Sequence, residues 1–491
     1  MKQHEFWLVA GTQTLYGDDV IRQVDEDAQV VCRALNDDPA VVGTVVYKGA
    51  LVDSAAIERF VVEANAAPAC AGIITWMHTF SPSKMWIAGL TRLQKPYLHF
   101  NTQFYRDIPW DTIDMDYMNL HQSAHGDREH GFIGARLRLV RKVIAGHWDD
   151  PAIRQRIGGW MRSAAGVLES RRLKVCRFGD NMRDVAVTEG DKVEAEIKLG
   201  WSINGYGVGD LIGVFNAVAD SETDSKMDEY RQRYDFATDR LDTVRYQARM
   251  EVALRKFLTE GGFGAFTNTF QDLQQLRQLP GLATQNLMRD GYGFGAEGDW
   301  KVAALTRVMK LMARGLPGGT AFMEDYSYHM DPENEGILGA HMLEVDPDIA
   351  SDKPRIEVHP LGIGGREAPA RLCFSTGEGE AITVSLVDMG GRMRMIVNDV
   401  HACAPFQDMP RLPVARVMWK PYPDLSTSAE AWIQAGGAHH TVLSYQLNQA
   451  HMRDFCSMLG IEFVHIGKHT DIDTLTRDLM VNDLVWRLQR A

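Results

Sequence analysis

Four side chains in this sequence have the chemistry to act together on a small polar molecule: two carboxylates, Glu297 and Glu324, and two imidazoles, His341 and His440. They make a mixed oxygen and nitrogen set suited to Mn²⁺ or a neighbouring divalent ion, and the absence of cysteine among them disfavours structural zinc. Each also has a simpler role open to it. Glu297 stands in GYGFGAEGDWK (291–301), just before Asp299, a good N-cap for a helix with Val302, Leu305, Met309 and Met312 as its apolar stripe and Arg314 with Gly315 as its end. A carboxylate there is favoured by the helix dipole, so capping alone would explain it. In TAFMEDY, strand alternation puts Glu324 on one face with Phe322 and Tyr326, where a charge needs a partner or a metal. In GILGAHMLEV the same count aligns His341 with Leu343 and Val345, a setting that also suits a core histidine bonded to backbone. In GGAHHTVLSY, extended backbone would send His439 and His440 to opposite faces, so that only one meets a shared site. The intervals between the four are long and irregular, with none of the local spacing of H-E-x-x-H.

Gly293-x-Gly295-x-x-Gly298 matches the dinucleotide fingerprint as text. That motif needs a strand before it and a helix N-terminus to receive the pyrophosphate. The preceding ATQNLMRD has helical spacing, and an acid among the backbone N–H groups repels phosphate, so no nucleotide is expected.

Something must position these groups, and 491 residues are enough for two to four domains. With 45% hydrophobic and 24% charged residues the chain can bury several cores. A formal charge of -13 argues against a polyanionic partner, so nucleic acid is not expected. The opening MKQHEFWLVAGTQTLYG lacks the apolar centre of a secretory signal, and no run approaches a membrane span. Six cysteines, Cys32, Cys70, Cys176, Cys373, Cys403 and Cys456, are scattered without a C-x-x-C pair, as in reduced thiols. A cytoplasmic location is expected.

The first hundred residues alternate strand and helix: EFWLVAG, a helix from Asp18 to Asn36, VVGTVVYKG, a helix in DSAAIERFVVEANA, AGIITWM, a helix around PSKMWIAGLTRL, and KPYLHF. This predicts a doubly wound, Rossmann-like parallel α/β domain over 1–173, with the text from Glu129 to Arg171 read as helical. The turn after the first strand lies where such sheets bind ligands, and Gln13 and Tyr16 in it suit an uncharged, hydroxylated molecule or are ordinary turn residues. A central α/β domain follows over 174–318, its stretch from Asp224 to Leu258 read as charged helix. After Gly319, period-two runs separated by glycines predict a mostly antiparallel β domain with terminal helices over 319–491.

The chain resembles the L-arabinose isomerase family from end to end, through WMHTFSPSKMWI, DTIDMDYMNLHQSAHGDREHGFIGAR, RFGDNMRDVAVTEGDKVEA, LPGLA, AEGDWK, GGTAFMEDY, GAHMLEV, HPLGIGG and AGGAHHTV. The resemblance implies that Glu297, Glu324, His341 and His440 hold a catalytic Mn²⁺, with Co²⁺ or another divalent ion as substitute. It implies sugar contacts from Gln13, Leu15, Tyr16, His125, Met182 and Phe270, and a homohexamer of two trimers whose pocket is completed by a neighbour's first domain. The expected reaction is conversion of L-arabinose to L-ribulose through an enediolate, and of D-galactose to D-tagatose, with Glu297 and Glu324 as the acid/base pair. L-fucose-like specificity and a non-catalytic sugar-binding protein are the alternatives. Departures from the usual family text are GFGAEG for GFAGEG, Tyr105 and His121 where Asn is usual, and LSYQLN for FSHALN.

Overall fold

The computed structural model describes residues 4–362 and 364–490. Two compact units divide the chain, Met1–Leu168 with Arg453–Met458, and Glu169–Met452 with Leu459–Ala491.

In the first unit β1 (Glu5–Gly11), β2 (Thr44–Leu51), β3 (Cys70–Trp76), β4 (Tyr97–Asn101) and β5 (Lys142–Ala145) form a sheet in the order β2-β1-β3-β4-β5. Every pairing is parallel. Helices cover both faces, so the strands are apolar on both sides; all seven residues of β3 are buried. Phe6 and Leu8 of β1 pack with Val24, Val31 and Trp160 on one face, and Trp7 and Val9 pack with Ile57, Phe60 and Trp86 on the other. The doubly wound expectation holds. The region from Glu129 to Arg171 is not all helix, since β5 separates the helices Ser123–Arg136 and Pro151–Ser170. Four residues are too few to interrupt a helical period visibly, and pairing with β4 decides the matter.

The second unit begins with β6 (Lys174–Phe178), β7 (Ser202–Tyr206), β8 (Asp235–Phe236), β9 (Ala265–Asn268) and β10 (Gly293–Ala296). Of these, β10-β9-β6-β7 form a parallel sheet. The charged stretch breaks into helices Asp220–Arg233 and Leu241–Gly261, because β8 between them pairs with a later strand.

The remaining strands are β11 (Thr320–His329), β12 (Gly336–Ala340), β13 (Arg355–Val358), β14 (Ala370–Cys373) and β15 (Gly379–Asp388), then β16 (Met393–Cys403), β17 (Arg416–Pro421), β18 (His440–Ser444) and β19 (Glu462–Ile466). β14-β13-β8 make a small sheet. The seven-stranded sheet β15-β18-β11-β12-β17-β16-β19 closes through pairing of β15 with β16, giving an antiparallel barrel with β19 added in parallel. Closure removes the free edges that period-two strands would otherwise expose. Ala321, Met323, Val400, Val417, Trp419 and Leu443 lie in its core.

Candidate metal and sugar site

β10 lies at one edge of its parallel sheet and ends at Ala296. Glu297 (φ 62°) and Gly298 (φ 80°) then turn the chain in the left-handed region, and Asp299 caps the helix Trp300–Ala313 by accepting from Val302 N at 3.3 Å. The ATQNLMRD segment is helical through Arg289, as read, and the glycine pattern after it begins inside β10 instead of following a strand. Its use is close packing: a Cβ at Gly293 would lie 2.1 Å from Ala303 O, and one at Gly295 2.5 Å from Asp299 O. The turn is pinned by Met182 N donating to Glu297 O (2.8 Å) and Gly298 N donating to Asn268 O (3.1 Å).

Strand register brings in the other groups. Glu324 of β11 is opposite His440 of β18 on one side and Ala340, the last residue of β12, on the other. His341 is next in the chain, so Glu324 Oε2 lies 3.8 Å from His341 Nε2, and Glu297 Oε2 lies 3.8 Å from His440 Nε2. Phe322 packs against both imidazoles, at 5.0 and 5.4 Å between ring centroids. All four expected groups thus face one site, with three local corrections. β12 stops before His341, so that residue is placed by a turn and not by alternation with Leu343. β18 starts at His440, which frees His439 from alternation; its Nε2 lies 3.9 Å from Glu297 Oε2, so both histidines of the pair reach the site. A register shift between Asp325 and Ser327 interrupts the alternation that would align Tyr326 with Glu324, and Tyr326 is exposed.

The histidines are fixed by acids that the sequence reading did not assign to this task. His341 Nδ1 donates to Glu344 Oε2 at 2.6 Å, and His440 Nδ1 donates to Asp299 Oδ2 at 3.2 Å. A carboxylate on Nδ1 selects the tautomer with a bare Nε2, the arrangement that orients metal-ligating imidazoles. Both Nε2 atoms are buried and meet no hydrogen-bond partner among the described residues. Two buried lone pairs facing two carboxylates fit a divalent cation. Buried Lys301 pins Asp299 at 3.2 Å while donating to Thr188 O and Glu189 O. Burial opposes ionisation of Asp299, but Lys301, His440 and the Val302 N–H together hold its carboxyl below the ordinary range. Burial likewise opposes ionisation of Glu297, and His439, His440 and His341 outweigh it, leaving Glu297 lowered. His341 is raised: burial disfavours its charged form, but Glu344, Glu324 and Glu297 favour it more.

Replacing Glu344 by Gln removes the charge that polarises His341. Mn²⁺ affinity is expected to fall about 10–100-fold, with kcat recovering toward the wild-type value at saturating ion; an unchanged ion affinity would show that Glu344 only packs.

Asp325 makes a second prediction. Burial pushes its carboxyl up to about 7; a hydrogen bond from Thr441 Oγ1 (3.2 Å) opposes this and Glu324 adds to it. The unfolded chain loses this proton near the ordinary carboxyl value of 3.8 while the folded chain keeps it, so stability of the metal-free protein falls as pH rises from 3.8 to about 7. Asp325→Asn is expected to flatten that slope and raise the thermal midpoint at pH 8; identical melting-versus-pH curves would refute it.

Met182, Phe270 and Glu297 follow β6, β9 and β10, neighbours in one parallel sheet, so all three project from its carboxyl end. Arg183 ties the first two loops, its N donating to Gln271 Oε1 at 2.8 Å and its side chain pairing with Asp272 at 3.1 Å. In the first unit the expected sugar contacts also gather. Gln13 donates to Phe80 O (3.0 Å), His125 stacks on Phe80 (4.4 Å), and Gln122 joins His125 (3.2 Å) to the Tyr16 hydroxyl (3.1 Å). Leu15 beside them is 81% exposed. Gln122, which the sequence reading passed over, links this set; nothing local in its motif signals that role. Tyr105 and His121, two of the departures, pack on each other at 5.0 Å.

Models of the L-arabinose isomerase N-terminal, central and C-terminal domains match residues 1–172, 174–315 and 319–462. The chain is 55% identical over 493 residues to an L-arabinose isomerase of Geobacillus stearothermophilus, covering 99% of each. It is 55% identical over 491 residues to L-arabinose isomerase 1 of Bacillus licheniformis, covering 100% of this chain and 99% of that one. It is 54% identical over 490 residues to the Thermotoga neapolitana L-arabinose isomerase, covering 99% of each. With matches that span every domain and relatives aligned over their whole length, the chain belongs to the L-arabinose isomerase family.

Proposed function

We propose that this protein is an aldose–ketose isomerase that interconverts L-arabinose and L-ribulose, and also D-galactose and D-tagatose, within three domains bounded near 173 and 318. The observation that carries the reading is the meeting of two carboxylates with two buried, bare imidazole nitrogens in a chain of this family. Isomerisation moves a hydrogen between C1 and C2, and its barrier is the weak acidity of the carbon-bound proton. Glu297 and Glu324 serve as the acid/base pair: one carboxylate takes the proton from C2 and returns it to C1 while the other moves the hydroxyl proton, through an enediolate. Glu297, held below its ordinary range, is ionised at neutral pH and so is ready to accept a proton. Glu297, Glu324, His341 and His440 would hold a divalent ion, Mn²⁺ or in its place Co²⁺, which when bound supplies positive charge for the developing oxyanion. Gln13, Tyr16 and His125 offer hydrogen bonds to sugar hydroxyls, and Leu15, Met182 and Phe270 offer apolar walls to its C–H faces.

The same reading includes a homohexamer of two trimers in the cytoplasm, with a neighbour's first domain completing each pocket. No helix among the described residues is long and apolar enough to cross a membrane. The test is ketose formation by the full chain with Mn²⁺. The expected order of kcat/KM is L-arabinose first, above D-galactose and L-fucose; binding of sugar without ketose, or a preference for L-fucose, would overturn the assignment.

A further inference from the structure

A second group of ligand-type side chains lies in the first unit. Asp27 comes from the helix Asp18–Asp37, His78 from the turn after β3, and His121 from the end of the short helix Met115–Leu120. One carboxylate oxygen and one ring nitrogen from each histidine lie within 4.8 Å of one another. We propose that Asp27, His78 and His121 form a second cation site, for a divalent transition ion of the Co²⁺ or Zn²⁺ class.

The surrounding hydrogen bonds carry the argument. His78 is fully buried, and its Nδ1 lies 3.0 Å from Leu120 O. A carbonyl only accepts, so Nδ1 is the protonated nitrogen, and in the neutral ring Nε2 presents a lone pair. That lone pair faces Asp27 Oδ2 at 2.8 Å, an acceptor against an acceptor unless a positive charge lies between them. Gln23 Nε2 donates to the other oxygen, Asp27 Oδ1, at 2.8 Å, which orients the carboxylate. A backbone carbonyl behind the imidazole and an amide behind the carboxylate are the outer partners that fix metal ligands.

An imidazolium–carboxylate pair would also satisfy Asp27 and His78, but it leaves His121 unexplained. The His121 ring stacks on His78 at 5.4 Å and is flanked by Tyr117 at 4.5 Å and Tyr105 at 5.0 Å. Its Nδ1 is buried and has no hydrogen-bond partner among the described residues. A cation shared by the three groups satisfies the facing acceptors and gives His121 a use. Two imidazoles and one carboxylate are a donor set that borderline ions favour over Mg²⁺ or Ca²⁺.

Such an ion would cross-link three separated segments. One of them leads directly to Gln122 and His125: His121 N donates to Tyr117 O, and Gln122 N donates to His78 O at 3.1 Å. The site is therefore a structural clamp on the segment that presents Gln122 beside Tyr16.

Equilibrium dialysis with Co²⁺ alone decides the matter. A full-length His341→Asn/His440→Asn protein, which lacks both imidazoles of the first set, is expected to retain about one Co²⁺ per chain, and adding His121→Asn is expected to remove it. Absence of bound Co²⁺ in the double variant, or retention after His121→Asn, would overturn the proposal. If the double variant does not fold, the unaltered chain serves: about two Co²⁺ per chain, falling to one with His121→Asn or Asp27→Asn, supports the second site, and one Co²⁺ per unaltered chain sinks it.

Discussion

Glu297→Gln is expected to lower kcat for L-arabinose by about 10²–10⁴-fold, the usual worth of a positioned acid or base, while KM moves only a few-fold. Glutamine keeps the length and shape of the side chain but cannot take up a proton as a carboxylate does, whether from carbon or from a hydroxyl. Three histidines hold the glutamate ionised against its burial, and the substitution removes the charge they were arranged around. It should leave the fold intact. Glu297 already sits at φ 62°, a conformation that costs an L-residue about 1–2 kcal/mol, and Gln carries the same backbone strain. Metal content measured on the same sample separates two causes. Turnover lost with Mn²⁺ retained identifies the proton carrier; turnover and Mn²⁺ lost together identify a ligand first. Full turnover with Mn²⁺ bound would remove Glu297 from the reaction.

That Glu297 takes a left-handed backbone conformation was not legible from GYGFGAEGDWK. β10 is four residues long with two glycines, a composition with almost no strand preference, and only its parallel pairing with β9 makes it a strand. Longer elements were readable because their periods are. The helix Trp300–Ala313 shows its stripe and cap directly, and the strands of the first sheet are recognisable apolar runs. β5 and β8 escaped notice for the reason β10 did, being short segments stabilised by partners distant in sequence.

The site shows the same limit in another form. Residue type singled out Glu324 and His440, but the antiparallel register of β11 and β18 is what makes them neighbours, and no local pattern encodes that register. The reading of His439 and His440 failed because alternation was applied one residue before the strand begins. Glu344 and Asp299 went unassigned as supports because an acid three residues from a histidine, or one already explained as a helix cap, has an ordinary use. Their task appears only when both Nε2 atoms are found buried and bare.

Gly298→Ala is the substitution expected to do most damage without removing any functional group. A Cβ at this position would lie 2.4 Å from Asn181 Cα and 2.7 Å from Asp180 O, both backbone atoms that no side-chain rotation can move away. The φ of 80° adds about 1–2 kcal/mol of left-handed strain for alanine. Relief requires the loop after β6 to shift, and that loop supplies Met182 N to Glu297 O and is braced through Asp180 N on Asp272 Oδ2. Total destabilisation should reach about 4 kcal/mol, the range reserved for overpacking or strain that the surroundings cannot absorb. Any protein that does fold should show a lower thermal midpoint, weaker Mn²⁺ binding and a kcat reduced with it, because the turn aims Glu297. Gly315→Ala is the control: it shares a left-handed φ of 82° but has no atom near the added methyl, so it should lose only the strain energy and keep its metal affinity. Equal losses for the two variants would mean that backbone conformation alone, and not the contact with Asn181, makes glycine necessary beside Glu297.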